Sequence, residues 1–163
     1  MARHRPYRAS VLLGTLGLMG GLKGAATGAE IPSEQRQAIR RMFVSESGGY
    51  DSSAQSLWLL QAIPRCWLRP GNRLAVRDMG TFFGGKVNLE VEMARDGNSV
   101  VAWVRLGLQE TPREIRLRLR SGDSRPLAAA TVNGQPVAIG AGDTLLLPLH
   151  PQAHCRIVGR FQG

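Results

Sequence analysis

In the longer part of this chain, apolar side chains fall on every second position. Val87, Leu89, Val91 and Met93 alternate with Asn88, Glu90 and Glu92. Val100, Ala102, Val104 and Leu106 alternate with Val101, Trp103 and Arg105, and Ile115, Leu117 and Leu119 with Arg116, Arg118 and Arg120. A strand turns successive side chains to opposite faces, whereas a helix returns to the same face every 3.6 residues, so this pattern specifies strands that are dry on one side. Gly, Pro, Asn and Asp interrupt it at intervals of about ten residues, the rhythm of an all-β sandwich. Strands are predicted over Arg41–Glu46, Ser56–Ile63, Arg73–Met79, Lys86–Ala94, Ser99–Leu106, Glu114–Arg120, Leu127–Val132, Gln135–Ile139, Thr144–Leu147 and His154–Phe161. The expected fold is an antiparallel, jelly-roll-like β-sandwich over residues 41–163, behind a short helical lead-in over 30–40. With 43% hydrophobic and 20% charged residues, the composition is that of a globular domain and excludes a disordered or fibrous chain.

The turns carry their own chemistry. Asp96-Gly97-Asn98 and Asn133-Gly134 take the left-handed conformations that tight hairpins demand, and Gly122-Asp123 and Gly140-Ala141-Gly142-Asp143 mark two further reversals. Thr81-Phe82-Phe83-Gly84-Gly85 predicts a sharp bend with one ring driven inward. Before the strands, Ser33 followed by Glu34 reads as the cap of a short helix. The segment from Leu57 to Gly71 is apolar on both sides, as a strand buried on both faces or lying at an interface would be.

The first 29 residues carry Arg3, Arg5 and Arg8, an apolar run from Val11 to Leu22 and a small-residue stretch ending at Ala29. That order is a secretory signal peptide, and a run of about 12 residues falls short of the roughly 20 that span a bilayer. The expectation is a periplasmic or secreted protein cleaved after Ala29, with membrane association only through an uncleaved leader. Removing the leader takes away four cations and no acid, so the net charge falls from +9 to +5, and export argues against a nucleic-acid partner. Cys66 and Cys155 would meet an oxidising compartment, where a disulfide closing a loop of about 90 residues is expected.

If strands adjacent in sequence are neighbours in space, one outward face gathers Glu90, Glu92, Trp103, Arg105, Arg116, Arg118 and Arg120. Opposed Glu and Arg make a solvated, charge-paired face. The same residues make a docking surface, because Arg forks suit carboxylate and sulfate and a Trp ring suits the apolar face of a sugar. Glu90 and Glu92 share a face, the minimum a two-carboxylate glycoside hydrolase needs, but any i, i+2 acidic pair does the same. His150 and His154 flank Cys155 without the clustered Cys or carboxylate of a metal site. Ser45, Ser47, Ser52 and Ser53 lie in a loop-like stretch that lacks the strand-to-helix context of a nucleophile elbow. No catalytic residue, metal or cofactor is assigned.

The succession Leu60-Gln61-Ala62-Ile63-Pro64-Arg65, Trp67-Leu68, Pro70-Gly71, Thr81-Phe82-Phe83-Gly84, Leu117-Arg118-Leu119-Arg120 and Val132-Asn133-Gly134 resembles the carboxy-terminal β-sandwich of bacterial six-hairpin glycosidase-like proteins. The resemblance spans about residues 40–161, and its motifs mark the fold rather than catalysis. It implies a carbohydrate-active helical toroid amino-terminal to the sandwich, yet only Ile31–Arg40 separates the leader from the sandwich here. The resemblance also implies an acidic residue at the position of Cys66. The resulting expectation is a non-catalytic module whose partner is a polysaccharide or a toroid-type glycosidase domain. Alternatives are a structural domain, or a truncated remnant, that docks a partner protein through the segment around Trp58 and Trp67, and a small hydrolase using Glu90 or Glu92.

Overall fold

The alternation becomes ten strands in two sheets, seen in a computed structural model that describes residues 32–47 and 55–163. The expected leader and Ser52 and Ser53 lie outside the described residues. The helix α1 (Ser33–Phe43) comes first. Ser33 is its first residue rather than its cap; Pro32 takes the cap position and makes no side-chain bond there, while its carbonyl accepts the Arg36 N–H at 3.0 Å. The helix also consumes the start of the strand expected at Arg41. Ile39, Met42 and Phe43 fall at i, i+3 and i+4, an apolar stripe that outweighs the period-two reading of the same residues.

The smaller sheet has the order β1 (Val44–Ser47), β2 (Ser56–Leu59), β6 (Glu114–Arg118), β9 (Thr144–Leu147), with β2 and β6 parallel and the outer pairs antiparallel. The larger is antiparallel throughout, in the order β3 (Arg73–Gly80), β4 (Gly85–Met93), β5 (Ser99–Leu108), β10 (His154–Phe161), β7 (Leu127–Val132), β8 (Gln135–Pro136). One core fills the space between them. Leu57, Leu59, Ile115, Leu117, Leu145 and Leu147 come from the smaller sheet, and Val87, Leu89, Val91, Val104, Leu106 and Ile157 from the larger. Gly159 sits on the inner face of β10, where a Cβ would meet Leu127 Cδ1 at 2.8 Å and Val100 Cγ1 at 3.1 Å.

Three local features decide what reaches the surface. β2 stops before the predicted Ile63 because Leu60 turns left-handed at φ 58°, a conformation that costs a non-glycine residue about 1–2 kcal/mol, and its N–H is taken by the Phe43 carbonyl at 2.8 Å. The chain then passes through a 3-10 turn, Arg65–Trp67, which buries Trp67 against Phe43 with ring centroids 6.2 Å apart. Phe83 is driven fully inside while Phe82 stays exposed, as the aromatic-glycine segment predicts, with Gly84 and Gly85 at φ 65° and 78°.

Two expectations are corrected. β6 does not lie beside β5: after β5 the Gln109 and Glu110 N–H groups bond the Phe83 carbonyl at 3.1 and 2.9 Å, and Arg113 N–H bonds the Gln55 carbonyl at 2.9 Å, delivering the chain to β2 in the other sheet. Cys66 and Cys155 are not joined. Cys66 is exposed on the 3-10 turn, and Cys155 points into the core from β10, opposite Val104, so the two thiols face different environments and the close Cβ approach of a disulfide is missing.

Candidate functional site

The outward face of the larger sheet is organised by its register. Glu90 on β4, Trp103 on β5 and Arg156 on β10 are cross-strand partners in one row; Asn88, Arg105 and His154 form the next. Directly opposed side chains have Cβ atoms about 5 Å apart, so these six make one patch. With Arg77 and Asn133 they line a shallow groove of about 370 Å³. Asn133 fixes its far side. It sits at φ 50° in the hairpin turn between β7 and β8, its Oδ1 accepts the Arg156 N–H at 2.8 Å, and its Nδ2 donates to the His154 carbonyl at 3.3 Å.

Trp103 is 38% exposed, and among the described residues its ring stacks on no cation and its indole N–H has no partner. Arg105, Arg156 and Arg77 have no carboxylate within ion-pair distance among the described residues. Among the described residues Glu90 is the only acid lining the groove, and its Oε1 is paired with the Arg73 guanidinium. Glu92 lies one row away, outside the groove, so no second carboxylate faces Glu90 across it. His154 and Cys155 are consecutive strand residues and point to opposite faces, which leaves no Cys–His pair; burial pushes the Cys155 thiol up. Ser45 and Ser47 lie on β1, where Ser45 Oγ donates to Gln61 Oε1 at 2.6 Å. Among the described residues no group of His, Cys, Asp and Glu is placed to hold a metal ion.

The structure therefore brings Glu90, Trp103 and Arg105 together and sends Arg116, Arg118 and Arg120 to the other sheet. Arg116 there lies over the Trp58 ring, 5.0 Å from its centroid. Its Nη2 bonds Glu114 Oε2 at 2.9 Å, and its Nε lies 2.8 Å from Oε1 without hydrogen-bond alignment. The Arg116 bond, with the Ser56 hydroxyl at 2.7 Å, holds the Glu114 carboxyl below the usual carboxylate range. The Trp58 indole N–H donates to Ser47 Oγ at 3.1 Å.

Sequence reasoning missed Arg156, His154 and Asn88. Their outward orientation was present in the alternation of the strands they occupy, but the pairing of β10 with β5, which brings two of them to Trp103, has no signal in local pattern. The chain matches no protein-family model and no curated protein.

Proposed function

We propose that this chain is an exported, non-catalytic β-sandwich module that docks a polysaccharide on the outward face of its larger sheet, in association with carbohydrate-active proteins. The observation that carries the reading is the state of Trp103: an exposed, uncommitted ring and indole N–H, bracketed in register by Glu90 and Arg156 and by Asn88, Arg105 and His154 in the next row. A sugar ring lays its C–H face on indole while its hydroxyls require donors and acceptors around the rim. Glu90 supplies an acceptor, Asn88 its Nδ2 donor, since its Oδ1 already accepts the Asp78 N–H at 3.0 Å, and Arg105 and Arg156 supply forks that also suit a carboxylate or sulfate substituent.

Affinity electrophoresis of the whole chain through gels of neutral, uronic-acid-containing and sulfated polysaccharides tests this. The parent is expected to be retarded in at least one gel, with retardation lost in Trp103→Ala and weakened in Arg156→Ala. Free migration of the parent in every gel, or equal retardation of parent and Trp103→Ala, overturns it. A second reading, docking of a partner protein, is favoured by Leu146 on the edge strand β9 and by Leu149 just beyond it, 59% and 54% exposed. A Leu146→Glu variant discriminates the two, since it leaves polysaccharide retardation intact and abolishes only protein association.

A further inference from the structure

β2 and β6 run parallel, so both end on the same side of the smaller sheet, and at that end the side chains of Arg118, Arg120 and Arg65 bond the backbone of the segments that leave it. Arg118 donates Nε–H to the Gly142 carbonyl at 2.8 Å and Nη1–H to the Gln61 carbonyl at 3.4 Å. Arg120 donates Nη2–H to the Ile63 carbonyl, and Arg65, on the 3-10 turn, donates Nη1–H to the Ser121 carbonyl at 2.7 Å. These bonds tether all three side chains to backbone, so their positions are set before any ligand arrives.

None of the three has a carboxylate within ion-pair distance among the described residues. Asp143 is the nearby acid, and its Oδ1 is occupied by the Leu127 N–H at 2.9 Å. The charges act on one another: burial first, then Arg118 and Arg65, lower the proton affinity of Arg120, and Asp143 alone opposes them. Each guanidinium has five N–H donors, and the bonds to carbonyls use only four across the group. Arg65, Arg118 and Arg120 are each half-buried, so the group as a whole keeps partial access to solvent. Gly142 helps keep that access, since a Cβ there would stand 3.1 Å from Arg118 Nη2.

We propose that Arg65, Arg118 and Arg120 form a binding site for a tetrahedral oxyanion, sulfate or phosphate. A planar carboxylate satisfies one fork, whereas three forks, two from β6 and its continuation and one from the 3-10 turn, suit an anion whose oxygens point in several directions. The ion is either free or an ester on a saccharide. The site is on a different sheet from the Trp103 groove and does not depend on its function.

Amide NMR of the whole chain, titrated with sodium sulfate at ionic strength held constant with chloride, tests the site. Saturable shifts are expected at residues 61–65 and 118–122, with affinity at least tenfold weaker in Arg65→Gln and in Arg120→Gln and unchanged in Trp103→Ala. A sulfated oligosaccharide that binds at least tenfold more tightly than inorganic sulfate, while its desulfated form leaves these amides unmoved, supports the site with an ester as ligand; equal or weaker binding supports it with the free ion. Shifts that do not saturate, that appear equally with chloride, or that persist in Arg65→Gln overturn it. Arg65 comes from a surface turn outside the strands, so this variant keeps the test decisive should Arg120→Gln fail to fold.

Discussion

Each sheet presents a tryptophan beside an arginine on its outward face, and the two faces are in opposite states. On the smaller sheet Trp58 is covered: Arg116 lies on its ring and Ser47 takes its indole N–H. On the larger sheet Trp103 stands with its ring and N–H uncommitted, although Arg156 is its direct cross-strand partner. The difference lies two residues along the arginine's own strand. Arg116 is held by Glu114 on the same face of β6, and the ion pair, with its one hydrogen bond through Nη2, keeps the guanidinium over Trp58. The corresponding neighbours of Arg156 are His154 and Val158, neither an acid, and Glu90 across the sheet is taken by Arg73. A single carboxylate at i−2 thus separates a face whose tryptophan is covered from one whose tryptophan is not.

The comparison presupposes that both sheets belong to one cooperative unit. Leu117 on β6 is fully buried in the core shared by the two layers. Leu117→Ala is expected to lower stability by about 3 kcal/mol, from lost burial and the cavity left behind. Denaturant unfolding followed by the fluorescence of all three tryptophans should keep a single transition. Two transitions, with the larger sheet unaffected, would break the premise.

The tryptophans come next in size. Trp58→Ala removes a half-buried ring and its cation–π partner and is expected to cost about 1–2 kcal/mol with no change in polysaccharide retardation. Trp103→Ala is expected to cost under about 1 kcal/mol and to abolish retardation. Reversed outcomes would mean that the covered face, not the open one, recruits the ligand. A smaller and more pointed effect is expected from Val158→Glu, which gives Arg156 the acid that Arg116 already has. If the i−2 argument transfers to i+2 on β10, retardation falls several-fold while stability moves by about 1 kcal/mol or less.

Much of the architecture was legible, and what was not has a common cause. Alternation reports which side of a strand is dry, and by that criterion the strands from Arg73 to Phe161 are found with end errors of one or two residues, except that the strand read over Gln135–Ile139 shrinks to Gln135–Pro136. It does not report which strand lies next door. Hence the grouping of Arg116, Arg118 and Arg120 with Trp103 rests on the condition that strands adjacent in sequence are neighbours in space, which β6, in the other sheet from β5, does not meet. The same blindness to long-range placement produced the expected disulfide. Native thiol titration is expected to find Cys66 reactive and Cys155 silent until the chain unfolds, since Cys155 is buried and its thiol is held protonated. Local spacing, in contrast, identified Phe83 as the inward ring, because two glycines after two aromatics leave the backbone few alternatives.

Glu114 offers the finest test of why the two faces differ. Its carboxyl is held below the usual range by Arg116 and Ser56, so the charged form is favoured in the folded chain. The stabilisation is therefore complete above the unfolded carboxylate pKa of about 4.3 and is lost as pH falls through the lower folded value. Glu114→Gln removes this contribution. The expected cost is about 0.5 kcal/mol at neutral pH, small because the pair is solvent-screened, and it should vanish once the pH has fallen through the lowered folded value, where parent and variant converge. The more telling readout is Trp58. Without its anchor Arg116 should leave the ring, and acrylamide quenching measured in a Trp103→Phe background, where only Trp58 and the buried Trp67 emit, should rise through a newly accessible Trp58. Unchanged quenching would mean that the ring holds the guanidinium unaided, and the open state of Trp103 would then require a cause other than the missing carboxylate beside Arg156.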